Sequence, residues 1–289
     1  MILKRALKPV IPVAFLNRYR LMQHSRIVKR DLARYRSDLT FLADLHYDDI
    51  SFGTETAEVI GASLDHCIRI IKKHTTIKGK SILIVGCGNG REIHRWMKEK
   101  PSRIIAIEYL DYREDWKDIS YPNVKIVQGD IRSYELDEEV DIVTSKAVLE
   151  HISGLPAAFS SLVAPLKRGG YFWADLGPLY FTWGGAHAPL GYDHLLMSEA
   201  EFGNLLNGTG YEEAQTFWKH GLFSKLAYDQ YMSCFAKHLE ARYEGLEFSR
   251  EALSYRESDR YRFDELSMRY GELDLLLKSI FYLGRKKDG

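Results

Sequence analysis

Three glycines within five residues, Gly86-Cys87-Gly88-Asn89-Gly90, form the densest chemical signal in the chain. They follow the apolar run Ser81–Val85 (SILIV) and precede a helical pattern that begins at Arg91. Between a strand and a helix, glycines let the backbone turn sharply and approach a ligand closely, while the first N–H groups of the helix stay free to bind it. Glu108 closes the next apolar run, 22 positions after Gly86. A carboxylate there can accept hydrogen bonds from both hydroxyls of a ribose. The chemistry implied is nucleoside binding beyond the carboxyl ends of parallel strands. A bare strand-to-helix turn would also use glycines, so it is the acid behind the loop that gives the loop meaning.

A dinucleotide fingerprint requires G-x-G-x-x-G. Here Arg91 occupies the sixth position and the glycines run G-x-G-x-G. In this the loop resembles that of class I S-adenosylmethionine (SAM)-dependent methyltransferases. Three further segments resemble the same family in order and spacing: Gly129-Asp130-Ile131, Ser145-Lys146-Ala147-Val148-Leu149-Glu150-His151, and Leu166-Lys167-Arg168-Gly169-Gly170. The resemblance covers roughly residues 60–176 and the flanks only loosely. It implies SAM as cofactor, held by the turn residues Gly86, Cys87, Gly88 and Gly90. It further implies Glu108 at the ribose and Asp130 at the adenine, accepting from the exocyclic amine, with Tyr109, Ile131 and Ser145 also among the cofactor-binding residues. The chain departs from the family once in the loop. An acid that orients the methionine end of the cofactor often stands two residues before the first glycine, where this chain has Ile84.

A sulfonium is a strong methyl donor, so such an enzyme must align an acceptor and, for a hydroxyl, remove its proton. His187 follows Gly184-Gly185 in the loop after the fifth apolar run and is the first candidate base; His151 is the second. Their plain alternatives are a hydrogen-bonding post for His187 and a helix-start residue packed beside the cofactor for His151. Asp193 and His194 support the site or stand apart from it; their spacing matches no standard metal site, and no metal is expected. Tyr180, Phe181, Trp183 and Tyr192 wall an acceptor pocket or form core beneath a long loop. Glu150 caps or bonds locally. The run Thr144-Ser145-Lys146-Ala147 lacks the D/N-P-P-Y/F motif of amino-base methylation, so nucleic acid is not expected as a partner.

Several elements must position these groups. Apolar runs at Ser81–Val85, Arg103–Ile107, Val124–Val127, Val140–Val143, Tyr171–Ala174 and Ser279–Gly284 read as strands, with helical spacing at Leu64–Lys73, Arg91–Lys100 and Pro156–Leu166 between them. Alternation of this kind predicts an α/β fold: a Rossmann-like, doubly wound, mostly parallel seven-stranded sheet with a helical N-terminal arm and a helical C-terminal insertion. The expected division is an arm or lid over 1–55, a core over 56–217, and an acceptor-side helical insertion with the last strand over 218–289. Asp49–Phe52 and Tyr47 are expected to cover the cofactor. Tyr231, Phe235, Leu239, Tyr243 and Leu246 stand near helical spacing.

The chain is 45% hydrophobic and 28% charged with zero formal net charge, which excludes a disordered chain and a whole-protein nucleic-acid footprint. Residues 1–36 nonetheless carry ten lysines and arginines against the single acid Asp31. That segment suits an anionic membrane surface or the acidic face of a partner subunit. Three scattered cysteines fit a reducing, cytoplasmic setting. The reading is methyl transfer from SAM to a small molecule, with an oxygen on a sugar or glycan as first expectation and a place in polysaccharide biosynthesis. The alternatives are a SAM-binding regulator without turnover and an NAD-type oxidoreductase.

Overall fold

A computed structural model describes residues 48–52, 58–134 and 136–288. The basic segment 1–36 and Tyr47 lie outside the described residues. Eight strands form one sheet: β1 (Asp49–Phe52), β2 (Ser81–Val85), β3 (Arg103–Glu108), β4 (Val124–Gln128), β5 (Val140–Lys146), β6 (Leu166–Leu176), β7 (Leu239–Phe248) and β8 (Leu277–Lys286). Their order is β1-β7-β8-β6-β5-β2-β3-β4. Strands β2 to β6 run parallel, and β8 is antiparallel to both β6 and β7. The sheet has eight strands where seven are expected, and two of them, β1 and β7, are not among the six runs that read as strands. Asp49–Phe52 is not a lid: it pairs in parallel with Gly245–Phe248 at the edge of the sheet.

The central strands are apolar on both faces because both faces are covered. Ile82, Leu83 and Ile84 are fully buried, each contributing roughly 1.5–3 kcal/mol by leaving water. On one face, Ile82, Ile84, Ile104, Ala106 and Trp173 pack against α1 (Glu58–His74) and against Ile93 and Trp96 of α2 (Arg91–Met97). A short α3 (Arg113–Trp116) follows β3. On the other face, Phe159 of α4 (Leu155–Val163) meets Phe172 at 5.2 Å between ring centroids. It also meets Phe235 at 5.3 Å.

After β6 the chain leaves the sheet for a helical excursion of α5 (Asp193–Leu196), α6 (Glu199–Asn207) and α7 (Glu212–Lys219), then returns through α8 (Tyr228–His238). Ser198 and Glu201 close a reciprocal capping box that fixes where α6 starts. A second excursion, α9 (Arg250–Ser258), α10 (Arg260–Tyr270) and α11 (Glu272–Leu276), lies between β7 and β8. The expected helix through Leu239, Tyr243 and Leu246 is instead β7, held by β8 on one side and β1 on the other. Residues 218–289 thus give the sheet two strands.

One topological fact places the site. The chain steps from β2 outward to β3 and β4, then crosses back to β5 on the other side of β2. Loops leaving β2 and β5 must diverge there, and the crevice between them is where open α/β sheets bind ligands.

Candidate functional site

A cleft of about 580 Å³ opens at that crevice, within the usual size range for small-molecule sites. The turn after β2 supplies Gly86, Cys87, Gly88 and Asn89, and the end of β3 supplies Glu108, Tyr109 and Leu110. Gly129 to Arg132 come from the loop after β4. Lys146, Ala147, Val148, His151 and Ile152 come from the segment after β5. Helices α1 and α2 contribute Leu64, Asp65, Arg91, Glu92 and Arg95, and the far wall is Glu213, Phe217 and Leu222. Cleft-lining residues thus include Gly86, Cys87, Gly88, Glu108, Tyr109, Asp130, Ile131 and His151 together. Gly90, Ser145 and His187 are not among them.

The glycine turn is built as its sequence requires. Gly86 and Gly88 have φ of 74° and 49°, the left-handed region that side chains disfavour. A Cβ on Gly86 would collide with Val148. A Cβ on Gly88 would meet no protein atom within 4 Å, so that face of the turn is open. The Gly88 N–H donates to Glu108 Oε2 at 2.7 Å and the Leu110 N–H donates to Oε1 at 2.9 Å. Trp116 Nε1 donates to the Gly88 carbonyl at 2.8 Å. Glu108 is thereby fixed in orientation with lone pairs left over on both oxygens, which fits the paired hydroxyls of a ribose.

Asp130 is clamped by its neighbour: Arg132 Nε lies 3.0 Å from each carboxylate oxygen, and its Nη2 donates to Oδ2 at 2.7 Å. The guanidinium holds this carboxyl below the usual range. Arg132 Nη1 reaches Ser153 at 2.9 Å, tying the loop after β4 to the segment after β5. Open turn, oriented carboxylate and clamped carboxylate sit around one cleft and suit an adenosine. Loss of Glu108 should be costly: Glu108→Ala removes a partner of two backbone N–H groups as well as the ribose acceptor. The expected weakening of S-adenosylhomocysteine (SAH) binding is about 1–3 kcal/mol, read by titration calorimetry.

His151 ends a short turn of 3-10 helix, Leu149–His151. Its Nδ1 lies 2.9 Å from the Leu222 carbonyl. A carbonyl only accepts, so Nδ1 carries the hydrogen, and the neutral ring keeps its lone pair on Nε2. Burial, with His187 alongside, lowers its pKa to about 4. At neutral pH it is an uncharged base on the cleft wall. His187 stands one layer back. Its ring lies 4.8 Å from the His151 ring and 4.8 Å from that of Phe217, and its Nδ1 is 3.6 Å from Glu213 Oε2. Its Nε2 is buried without a hydrogen bond among the described residues.

The remaining sequence candidates do not line the cleft. Ser145 is fully buried within β5. His194 is buried, with Nε2 donating to the Tyr180 carbonyl at 2.8 Å. Tyr192 donates to the Leu275 carbonyl at 2.8 Å, and Trp183 packs on Tyr192 and Tyr255. These aromatics are core beneath the loop. Glu150 points away from solvent, and its Oε1 accepts from the Gly177 N–H at 2.7 Å. Burial raises its pKa to about 8, and its carboxyl holds the backbone. Burial likewise pushes the Cys87 thiol up, which leaves it inert. Sequence reasoning missed Phe217, Leu222 and Glu213. Leu222 falls within the expected segment 218–289, while Glu213 and Phe217 belong to α7, in the excursion after β6.

A family model described as a methyltransferase domain matches residues 83–174, the stretch from β2 to β6. (S)-Coclaurine N-methyltransferase of Papaver somniferum is 26% identical over 162 residues, covering 50% of this chain and 44% of that protein. The chain spans under half the length of that curated relative. A putative SAM-dependent methyltransferase from Listeria monocytogenes superposes with a TM-score of 0.51 at 13% identity, over 79% of this chain and 100% of that one. A SAM-dependent methyltransferase from Mesorhizobium loti gives 0.49 at 14% identity, over 77% and 99%. At these identities the structural likeness is one of fold.

Proposed function

We propose that this chain, whose residues 83–174 match a family model described as a methyltransferase domain, transfers the methyl group of SAM to a small-molecule acceptor held beside His151. The reading rests on one observation: the glycine turn, Glu108, Asp130 and His151 all line the same cleft. When bound, SAM supplies an electrophilic methyl group. Glu108 and Asp130 hold the nucleoside by ribose and adenine, which leaves the far wall for the acceptor.

The acceptor side is mostly apolar. Val148, Ile152, Phe217 and Leu222 exclude water around His151 and give an acceptor ring a surface to lie on. His151 Nε2 takes the proton that the attacking atom must shed, while the Leu222 carbonyl keeps the imidazole from rotating. His187 supports it from behind as a positioning residue, with Glu213 as its anchor. The first reading for the attacking atom is a hydroxyl oxygen, as on a sugar or glycan, because a neutral alcohol needs such a base most. A second reading, methyl transfer to an amine nitrogen, is favoured by the Glu213 carboxylate on the same wall, which would attract a protonated amine. The printed name of the Papaver relative also describes transfer to nitrogen.

A labelled-methyl transfer screen against separated sugar, glycan and amine pools, with the product identified by mass, tests this reading. A labelled product in the sugar pool supports the first reading and one in the amine pool the second. SAH binding with no product from any pool would instead mark a cofactor-binding protein without turnover. The pH dependence follows from the lowered His151. Its base form persists until the pH falls through about 4. We therefore expect kcat/KM to show no acid limb near pH 6.5 from this residue. A limb centred near 6.5 that vanishes in His151→Gln would keep His151 as the base and contradict its lowered pKa.

A further inference from the structure

Ile84, where the family's loop acid often stands, is fully buried in the sheet core and cannot meet a ligand. The cofactor's tail carries an ammonium and a carboxylate, and the cleft must receive both. The adenine and ribose ends of the cleft are marked by Asp130 and Glu108. The same cleft is lined by Glu92 and Lys146, and by Asp65, Arg91 and Arg95. Arg95 is already engaged, at 2.6 Å from Asp65 and 2.9 Å from Glu99. Glu92 has no ion pair within 4.0 Å among the described residues. Trp96, Lys146, Asp175 and Glu108 all act on its carboxyl.

We propose that Glu92 binds the α-ammonium of the cofactor's amino-acid tail and Lys146 its α-carboxylate, so that an acid on α2 replaces the one missing before the glycine turn. This rests on the methyltransferase reading above. Three features carry it. Glu92 lines the same cleft as the nucleoside-binding groups. Burial is the largest influence on its carboxyl and raises its pKa to about 7. Lys146 and Trp96 offset that burial only in part, and a ligand ammonium beside the carboxylate would favour its charged form further. The opposed signs of Glu92 and Lys146 also match the two charges of a zwitterionic amino acid and fix which way round it lies.

The test is calorimetric binding to the full chain, wild type and Glu92→Gln, with three probes. These are SAH, 5′-methylthioadenosine, which keeps the nucleoside and sulfur but lacks the amino-acid tail, and a desamino analogue of SAH, which lacks only the ammonium. Glu92→Gln should weaken SAH roughly 10- to 100-fold, as expected for a charge-assisted hydrogen bond. Methylthioadenosine should change less than about twofold, a difference too small for a lost hydrogen bond. The desamino analogue should bind wild type more weakly than SAH does and be insensitive to Glu92→Gln. Thermal melting of the ligand-free proteins checks that the near-isosteric variant is folded. Equal losses for SAH and methylthioadenosine, or no loss for SAH, would overturn the proposal. Failure of wild type to bind either nucleoside probe would overturn the methyltransferase reading itself, and this inference with it.

Discussion

Gly88→Val will lose SAH binding by a factor of about 100 or more while the protein stays folded, because the change fills the cleft rather than the core. Gly88 is fixed from three directions. Its N–H donates to Glu108, its carbonyl accepts from Trp116, and its φ of 49° lies where a β-branched residue is a genuine outlier. Valine in that conformation costs about 1–2 kcal/mol of backbone strain. If the backbone relaxed instead, Glu108 would lose the donor that orients it. The added Cβ finds no protein atom within 4 Å, so it displaces ligand rather than neighbours. Gly86→Val provides the contrast. There the new side chain collides with Val148, so the expected loss is of folding itself. Calorimetry for SAH and thermal melting on both variants separate the two outcomes. Wild-type affinity in Gly88→Val would mean the ligand does not pass this turn.

The second large effect is on chemistry. His151→Ala should lower kcat on the acceptor found by the transfer screen by about 10²- to 10⁴-fold, the usual weight of a general base. SAH affinity should stay within a few-fold, because ribose and adenine are held elsewhere. His187→Ala should fall well short of that loss, since His187 stands behind His151 and does not line the cleft. Single-turnover rates on preformed ternary complexes separate the chemical step from binding. A His187→Ala rate as low as that of His151→Ala would reverse the two roles.

Local signals made the core legible. The runs from Ser81 and Arg103 are short, apolar and stopped by a glycine or an acid, and each became a strand whose carboxyl end meets the cleft. Glu108 and Asp130 could be placed because strand ends fix where side chains emerge. What escaped depended on partners distant in sequence. Asp49–Phe52 is only four residues, and it is a strand because Gly245–Phe248 lies beside it. Leu239 and Tyr243 are four apart, a spacing that puts two residues on one face of a helix but equally on one face of a strand. A register shift between Ala241 and Tyr243 blurs the alternation further. The far wall was hidden for a different reason. Glu212–Lys219 reads as a polar surface helix, and only the folded excursion turns Glu213 and Phe217 toward His151. Glu92 read as an ordinary residue of a first helical turn, since nothing local reveals that α2 presents it to an enclosed cleft.

The central claim is that one adenosine is held jointly by the glycine turn, Glu108 and Asp130. The most direct measurement is a crystal structure of the protein with SAH bound. We expect both ribose hydroxyls within hydrogen-bonding distance of the Glu108 carboxylate, the adenine beside Ile131 with its amine toward Asp130, and the sulfur facing His151. A nucleoside bound outside this cleft, or lying in it with neither carboxylate in contact, would contradict the account.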